Sequence, residues 1–379
     1  MKGPEQLEVS LSLRREGFDL ELDLTLPAAG ITVIFGPSGC GKTSLLRCVA
    51  GLERHSTGRI ALGASVMQDS QHAIHWPAWQ RPLAYVFQEA TLFEHLDVMG
   101  NLRFGLQPTR LHNKRSHLAK DAGWLAQALS PEAALEQAIE VLGLAALMKR
   151  HPQQLSGGER QRVAIGRALA TQPRMMLLDE PLASLDSARQ QEILPWLEKL
   201  RDTLHVPMLY VTHAQSEMTR LANTLVLMEL GRVKAAAPIQ EMFAHGSWLA
   251  ELGEEPSALM DAQLHERDEP WGLVSARFEG GAFWIRDPEL ALGSRVRLRV
   301  MARDVSIACS PPERTSIQNI LPARVSAIHP DHHPSQCLVR LELQGTPLWA
   351  KVTTRALNAL ALEVGQPVWA QIKSVALVS

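Results

Sequence analysis

The chain has 379 residues, long enough to bury a large core but too long for one ordinary domain, so a domain of about 240 residues plus a smaller one is expected. Its 46% hydrophobic and 21% charged residues are those of a soluble globular protein, not a disordered or fibrous one, and no apolar run approaches the roughly 18 residues that a membrane span needs. A formal net charge of −2 gives no broad drive toward nucleic acid, and no nucleic-acid partner is expected.

The first residues, MKGPEQLEVSLSLRR (Met1 to Arg15), lack the apolar core of a signal peptide and read as a first strand, which predicts a cytosolic chain. Four sparse cysteines, Cys40, Cys48, Cys309 and Cys337, show no CxxC spacing; this suits a reducing compartment and argues against a disulfide framework or a zinc site. From Gln6 to Leu26 apolar and polar residues alternate, predicting an antiparallel pair with one wet face. After Ala29 and Gly30 comes ITVIF (Ile31 to Phe35), a continuous apolar run of the kind buried in a parallel sheet. LAYVF (Leu83 to Phe87), MMLLD (Met175 to Asp179) and MLYVT (Met208 to Thr212) are similar, and helical stretches separate them, so the fold class of this part is α/β.

Between Asn101 and Pro152 the chain is Ala/Leu-rich and poor in strand signals, including WLAQAL (Trp124 to Leu129) and AIEVLGLAALM (Ala138 to Met148); it reads as a helical insert. After about Gly246 the character changes through a polar, acidic linker (Gly253 to Glu269) into short alternating strands. WGLVSARFEGGAFWIRD (Trp271 to Asp287) predicts a hairpin. RVRLRVMARDVSIA, ARVSAIH, QCLVRLEL, LWAKVT and VWAQIKSVALV predict further strands of a small all-β barrel.

Gly36-Pro37-Ser38-Gly39-Cys40-Gly41-Lys42-Thr43 fits GxxxxGK[ST] between a buried strand and a helical stretch, the context that a phosphate-binding loop requires. Its glycines let backbone N–H groups approach phosphate oxygens, Lys42 supplies a point charge to the β/γ-phosphates, and the Thr43 hydroxyl is a magnesium ligand. ATP and Mg²⁺ are the expected cofactors. Downstream, Asp179-Glu180 places two carboxylates at a strand's carboxyl end, where open α/β sheets bind their ligands. Asp179 suits the metal and Glu180 suits a general base for the attacking water.

Leu155-Ser156-Gly157-Gly158-Glu159, followed by RQRVAIGRALA, opens a helix with two glycines and no bulky side chain, a start that can press N–H groups against a γ-phosphate. LSGGERQRVAIGRAL resembles the signature segment of ABC-type ATPases, and residues 6 to about 245 are similar to that family throughout. The resemblance implies an ATPase domain over 1–246 with a helical subdomain at about 89–170. It implies that Ser156, Gly157 and Gly158 contact the nucleotide of a second copy in a homodimer. Gln88 matches the family's Q-loop, which senses metal and nucleotide; Asp186, in Ser184-Leu185-Asp186, matches the D-loop; and His213 matches the switch histidine that contacts the γ-phosphate. The family often stacks adenine on an aromatic ring before the P-loop. Here Arg14, Arg15 and Glu16 occupy that region with Phe18 slightly later, so an arginine and Phe18 both remain open and no adenine partner is assigned.

ABC ATPases without membrane spans serve separate polytopic permeases, which implies a place on the cytoplasmic face of the bacterial inner membrane. The tail narrows the family. Thr315-Ser316-Ile317-Gln318-Asn319-Ile320-Leu321, ARVSAIH and Gln371-Ile372-Lys373-Ser374-Val375 resemble the molybdate-binding β-barrel module of molybdate-responsive proteins. With IFGPSGCGKTSLL, NLRFGL and DEPLASLD, they make the chain resemble the ATP-binding subunits of bacterial molybdate importers over nearly its whole length. The resemblance implies a linker at 247–270, a regulatory β-barrel at 271–379 with its molybdate module at about 311–379, and indirect work with a periplasmic molybdate-binding protein. Ser316, Gln318, Lys373 and Ser374 are the candidate oxyanion contacts. A basic residue commonly occupies the position of Gln318, so a tail that only braces the dimer is the competing reading. An importer for sulfate, iron, sugar or polyamine, and a non-transport ABC ATPase, are the alternatives for the whole chain.

Overall fold

The structure, a computed structural model, describes residues 5–15, 17–106, 129–204, 206–244, 255–331 and 333–378. Two compact units divide it, Met1–Ala237 and Pro238–Ser379.

The first unit opens with β1 (Gln6–Arg15) and β2 (Phe18–Pro27), paired antiparallel from Gln6 opposite Pro27 to Arg15 opposite Phe18. Leu7, Val9, Leu11 and Leu13 on β1 and Leu20, Leu22, Leu24 and Leu26 on β2 are buried while the residues between them face outward, so the alternation read from the sequence is the inward face of this sheet. β4 (Thr57–Leu62), β5 (Ser65–Asp69) and β6 (Ile74–His75) complete it in the order β2-β1-β4-β5-β6.

The second sheet of this unit runs β11-β10-β3-β9-β8-β7. β3 (Ile31–Phe35), β8 (Met175–Asp179) and β9 (Met208–Val211) are buried at every residue, and β7 (Leu83–Val86) and β10 (Thr224–Glu229) at alternate or most positions; β11 is Arg232–Pro238. The pairs β10–β3, β3–β9, β9–β8 and β8–β7 are all parallel. Their continuous apolar runs follow from burial on both faces. Helix α1 (Lys42–Ala50) packs on β7, β8 and β9, with Leu45, Leu46, Cys48 and Val49 in a core shared with β1 and β2.

In the expected helical insert, α2 (Val98–Phe104) and α3 (Pro131–Val141) both pack on α4 (Gly157–Ala170). Trp124 to Ala128, in WLAQAL, lie outside the described residues. AIEVLGLAALM is not one helix. α3 ends at Val141, Gly143 turns the chain at φ 58° with no room for a Cβ beside the Trp196 ring, and only a 3-10 turn, Ala145–Leu147, follows. Two further helices, α5 (Ser187–Lys199) and α6 (Gln215–Leu221), follow β8 and β9.

The second unit begins earlier than the expected boundary at 246. Helix α7 (Ile239–Ala244) packs on β12 (Ser257–Asp268), and the Trp349 indole N–H donates to the Phe243 carbonyl at 3.0 Å. The expected linker at 247–270 is therefore corrected over its second half. β12 occupies it, burying Ala258, Met260, Ala262 and Leu264, while the acidic residues that suggested a linker lie on its outer face, Asp261 paired with Arg297 at 2.8 Å. Residues 247–254 lie outside the described residues.

The predicted hairpin is β13 (Leu273–Phe278) against β14 (Gly281–Arg286). With β15 (Arg295–Met301) and β21 (Ala376–Leu377) they form the sheet β14-β13-β12-β15-β21. A second antiparallel sheet runs β16-β20-β17-β18-β19, from β16 (Val305–Ala308), β17 (Asn319–Pro330), β18 (Gln336–Leu343), β19 (Thr346–Thr353) and β20 (Pro367–Ile372). One core containing Phe283, Leu298, Val339, Leu341 and Ala370 serves both sheets, and a short helix, α8 (Thr354–Ala359), follows β19. The all-β character expected of the tail holds, with its strands divided over two five-stranded sheets. No helix among the described residues is long and apolar enough to cross a membrane.

Candidate functional site

Four adjacent parallel strands deliver the candidate residues to one edge of the sheet. β3 ends in the loop Gly36 to Gly41, β9 leads to Thr212 and His213, β8 ends in Asp179 followed by Glu180, and β7 leads to Gln88. Carboxyl ends of parallel strands are where open α/β sheets bind ligands.

Gly36, Gly39 and Gly41 have φ of 157°, 80° and 104°. A Cβ on Gly36 would lie 2.2 Å from the Met228 carbonyl oxygen, and one on Gly41 would lie 2.7 Å from Phe18 Cζ, so the loop closes on its neighbours only without side chains. No side chain caps the amino end of α1 and no acidic residue occupies its first turn. Those backbone amides and the helix dipole suit an anion. The buried Lys42 ammonium donates to the carbonyls of Gly36 (2.8 Å) and Pro37 (2.9 Å), which curls the loop around its own cation. Ser38 is exposed on the loop's rim. The Cys40 thiol is buried, and burial pushes its pKa up, so it stays a small neutral filler.

The Thr43 hydroxyl donates to Asp179 Oδ1 at 2.8 Å, and the Tyr85 hydroxyl donates to Oδ2 at 2.7 Å. Thr43 and Asp179 thus bring two hard oxygen donors side by side next to the anion cradle, a donor set that fits magnesium held between protein and phosphates. Burial, with the Asp179 carboxylate as the next cause, pushes the Tyr85 phenol well above its usual range, so it remains a donor. Tyr85 was legible in the sequence only as one member of an apolar run.

Glu180 has φ 45°, the left-handed region, and its N–H donates to the Val211 carbonyl at 3.0 Å. A non-glycine residue held there stores of order 1–3 kcal/mol of strain. His213 Nδ1 lies 3.3 Å from Glu180 Oε2. On the neighbouring residues, the Tyr210 hydroxyl donates to Glu217 Oε2 at 2.7 Å, and burial raises the pKa of this carboxyl. The loop bearing His213 is pinned by Thr212, whose hydroxyl accepts the Ala214 N–H at 3.0 Å. Gln88 is exposed in the loop after β7.

A second cluster gathers the other sequence candidates. Ser156 caps α4: its hydroxyl accepts the Glu159 N–H at 3.2 Å, and Glu159 Oε2 accepts the Ser156 N–H at 2.7 Å. That backbone N–H, the largest cause, holds the Glu159 carboxyl below its usual range. Asp186 caps α5 by accepting the Arg189 N–H at 3.0 Å. A Cβ on Gly157 would lie 2.8 Å from Leu185 Cδ2, and one on Gly158 would lie 3.5 Å from Ile193 Cδ1. The side-chain hydrogen bonds of Ser156 and Asp186 stay within the first turns of their own helices.

Two groups outside the motifs hold α1. The buried Arg81 guanidinium donates to the carbonyls of Cys48 (2.8 Å) and Val49 (2.7 Å) at its carboxyl end, and burial lowers its pKa to about 10. Arg47 and Arg15 both grip Glu53 at 2.5 Å. Burial alone would raise the Glu53 pKa, and the two guanidiniums bring it below its usual value. Of the residues left open for adenine, Arg15 is therefore drawn onto Glu53, Phe18 lies against Gly41, and Glu16 is outside the described residues.

A family model for ABC transporters matches residues 20–183, which include the whole loop and both carboxylates. A protein of Methylococcus capsulatus called molybdenum import ATP-binding protein ModC is 48% identical over 98% of this chain and 99% of its own length. One of the same name from Thiobacillus denitrificans is 46% identical over 99% of each. The chain belongs to the ABC transporter family. For this ABC ATPase the solved structure of cbiO1 from Clostridium perfringens, part of the ABC transporter complex cbiONQ, is a fold neighbour with TM-score 0.50 and 22% identity, covering 66% of this chain and 94% of that one. That likeness concerns the fold alone.

A model of the TOBE domain matches residues 315–378. In this part of the ABC ATPase the candidate oxyanion residues lie next to one end of a strand pair. β17 and β20 pair with Asn319 opposite Ile372, so Gln318 and Lys373 follow at the same end of the ladder, flanked by Ser316 and Ser374. All four are exposed, and the Lys373 N–H donates to the Asp304 carbonyl at 2.8 Å.

Proposed function

We propose that this ABC ATPase hydrolyses MgATP as a homodimer to power import of molybdate through a separate polytopic permease at the cytoplasmic face of the bacterial inner membrane. The observation that carries the chemistry is the single sheet edge holding Lys42, Thr43, Asp179, Glu180 and His213. The triphosphate lies on the amino end of α1, where the amides and Lys42 meet its charge. Thr43 and Asp179 would hold the magnesium, which would supply charge neutralisation to the phosphates when bound. Glu180 takes the proton of the attacking water at its carboxylate, and His213, in contact with that carboxylate, reaches the γ-phosphate. Gln88 follows the strand beside Asp179 and links this edge to the permease.

Two copies are needed because Ser156, Gly157 and Gly158 form a separate helix tip, suited to closing on the partner's nucleotide, with Asp186 beside it. A cavity of about 440 Å³ between β7 and α4, walled by Phe87, Phe93, Phe104 and Arg167, offers an apolar seat for a helix of the permease. The cargo reading is supported by relatives that match the chain from end to end. A periplasmic molybdate-binding protein would deliver the anion to the permease. Ser316, Gln318, Lys373 and Ser374 would sense molybdate inside the cell. The uncharged Gln318 favours a second reading of that end as a brace for the dimer.

Deleting the gene for this chain tests the cargo. Molybdate uptake at low external concentration should disappear and return with the intact gene. Unchanged molybdate uptake, with loss of sulfate, iron, sugar or polyamine uptake instead, would reassign it.

A further inference from the structure

Tyr85 enters the site from outside every motif that the proposed activity uses. Parallel pairing sets Tyr85 opposite Leu177 on β8, and Asp179 lies two residues farther, on the same face as Leu177. The register therefore aims the phenol at the Asp179 carboxylate. Its hydroxyl donates to Oδ2 at 2.7 Å while Thr43 donates to Oδ1 at 2.8 Å, so both oxygens of one buried carboxylate are tied to neutral donors. The Tyr85 ring packs on Phe87 with centroids 4.5 Å apart, which fixes the phenol in turn.

We propose that Tyr85 is a positioning residue for the metal-binding carboxylate, holding the rotation of Asp179 so that Oδ1 faces Thr43 and the two present a ready seat for the magnesium of MgATP. A neutral hydroxyl suits this task. An arginine or lysine at the same place would fix the carboxylate equally well but would cancel the charge that attracts the cation. Groups that orient a metal ligand typically change metal affinity by about 10- to 100-fold when removed. The proposal rests on the ATPase reading above.

The test uses the full chain carrying Glu180→Gln, so that bound ATP persists, and titrates Mg²⁺ against ATP binding by calorimetry, with Mn²⁺ binding by electron paramagnetic resonance as a second readout. Tyr85→Phe removes one oxygen and keeps the ring on Phe87. It should raise the Mg²⁺ midpoint by about tenfold or more, leave ATP binding in EDTA unchanged, and have no added effect when Asp179→Asn is already present, because a residue acting through Asp179 is not additive with its loss. A Mg²⁺ midpoint within about twofold of the parent overturns the role of Tyr85 and leaves the ATPase reading standing. A tenfold shift that persists in full on the Asp179→Asn background also overturns it. A parent that binds neither ATP nor Mn²⁺ overturns the ATPase reading itself.

Discussion

His213 Nδ1 lies 3.3 Å from Glu180 Oε2, joining the residue after β8 to the residues after β9 across the edge of the parallel sheet. The left-handed backbone of Glu180 holds its carboxylate at this edge, where the proposed function needs a base for the attacking water. Glu180→Gln keeps the shape and removes the base. Hydrolysis should fall by about 10²- to 10⁴-fold while ATP binding persists and the protein elutes as a dimer with ATP. Phosphate release and size-exclusion chromatography measure both, and undiminished hydrolysis would remove Glu180 from the role.

Lys42→Ala should abolish useful ATP binding rather than slow the chemistry alone. The ammonium is buried and bonded to two loop carbonyls, and in the proposed complex it would meet the phosphates. Hydrogen bonds to charged groups are worth about 1.5–3 kcal/mol each, so affinity should drop at least about tenfold. Calorimetry with ATP at fixed Mg²⁺ checks it, with Lys42→Arg expected to rescue poorly because its planar fork does not fit between the Gly36 and Pro37 carbonyls.

Much of the candidate site is visible in the sequence because a loop of this type has fixed spacing: Gly36 to Thr43 are contiguous between β3 and α1, and Asp179-Glu180 closes an apolar strand. Tyr85 was not visible, since its meaning depends on the register of β7 against β8. β12 is hidden in the sequence for a similar reason. Its Asp261 and Glu266 look like a solvated linker until Asp261 is found on an outer face against Arg297, with Ala262 and Leu264 turned into the core. Gly143 carried a helix stop that the Ala/Leu-rich pattern around it hid.

The buried Glu217 makes stability depend on pH. Burial, the largest cause, raises its folded pKa above the ordinary 4.5, against the opposing hydrogen bond from Tyr210. The unfolded chain then releases this proton at a lower pH than the folded chain does. Its contribution to stability is complete below about pH 4.5 and is lost as pH rises from there through the folded value. Glu217→Gln keeps an acceptor for the Tyr210 hydroxyl and removes the titration. The variant should melt higher than the parent at neutral pH, and the gap should close at acidic pH. Melting curves across that range decide it, and a gap that widens with acid would reverse the sign.

Ser156→Ala removes a cap from α4, which should destabilise that helix by about 1 kcal/mol and weaken ATP-driven dimerisation more than ATP binding to the isolated subunit. The distinction follows from the capping box: the Glu159 carboxylate takes the Ser156 backbone N–H on one oxygen and Arg150 on the other, so loss of the Ser156 hydroxyl frays the α4 tip while the loop around Lys42 stays intact. Equilibrium sedimentation with ATP in the Glu180→Gln background reads dimerisation, and an unaltered dimer would place the nucleotide contact elsewhere.

The tail separates sensing from bracing by way of Lys373. It is the one cation among the four candidates, and the ladder of β17 and β20 sets it beside Gln318 with Ser316 and Ser374 at the same end. If these residues hold a tetrahedral dianion, the full chain should bind molybdate and tungstate in calorimetry, and Lys373→Ala should weaken binding about tenfold or more, the loss of a charge-assisted contact. The measurement needs the full chain or the whole second unit. A fragment starting at residue 270 would lack β12, the middle strand of β14-β13-β12-β15-β21, and would expose Val274, Leu298 and the core around them. Its failure to bind would then report unfolding, whereas an intact chain that binds neither anion would reject sensing and leave the brace.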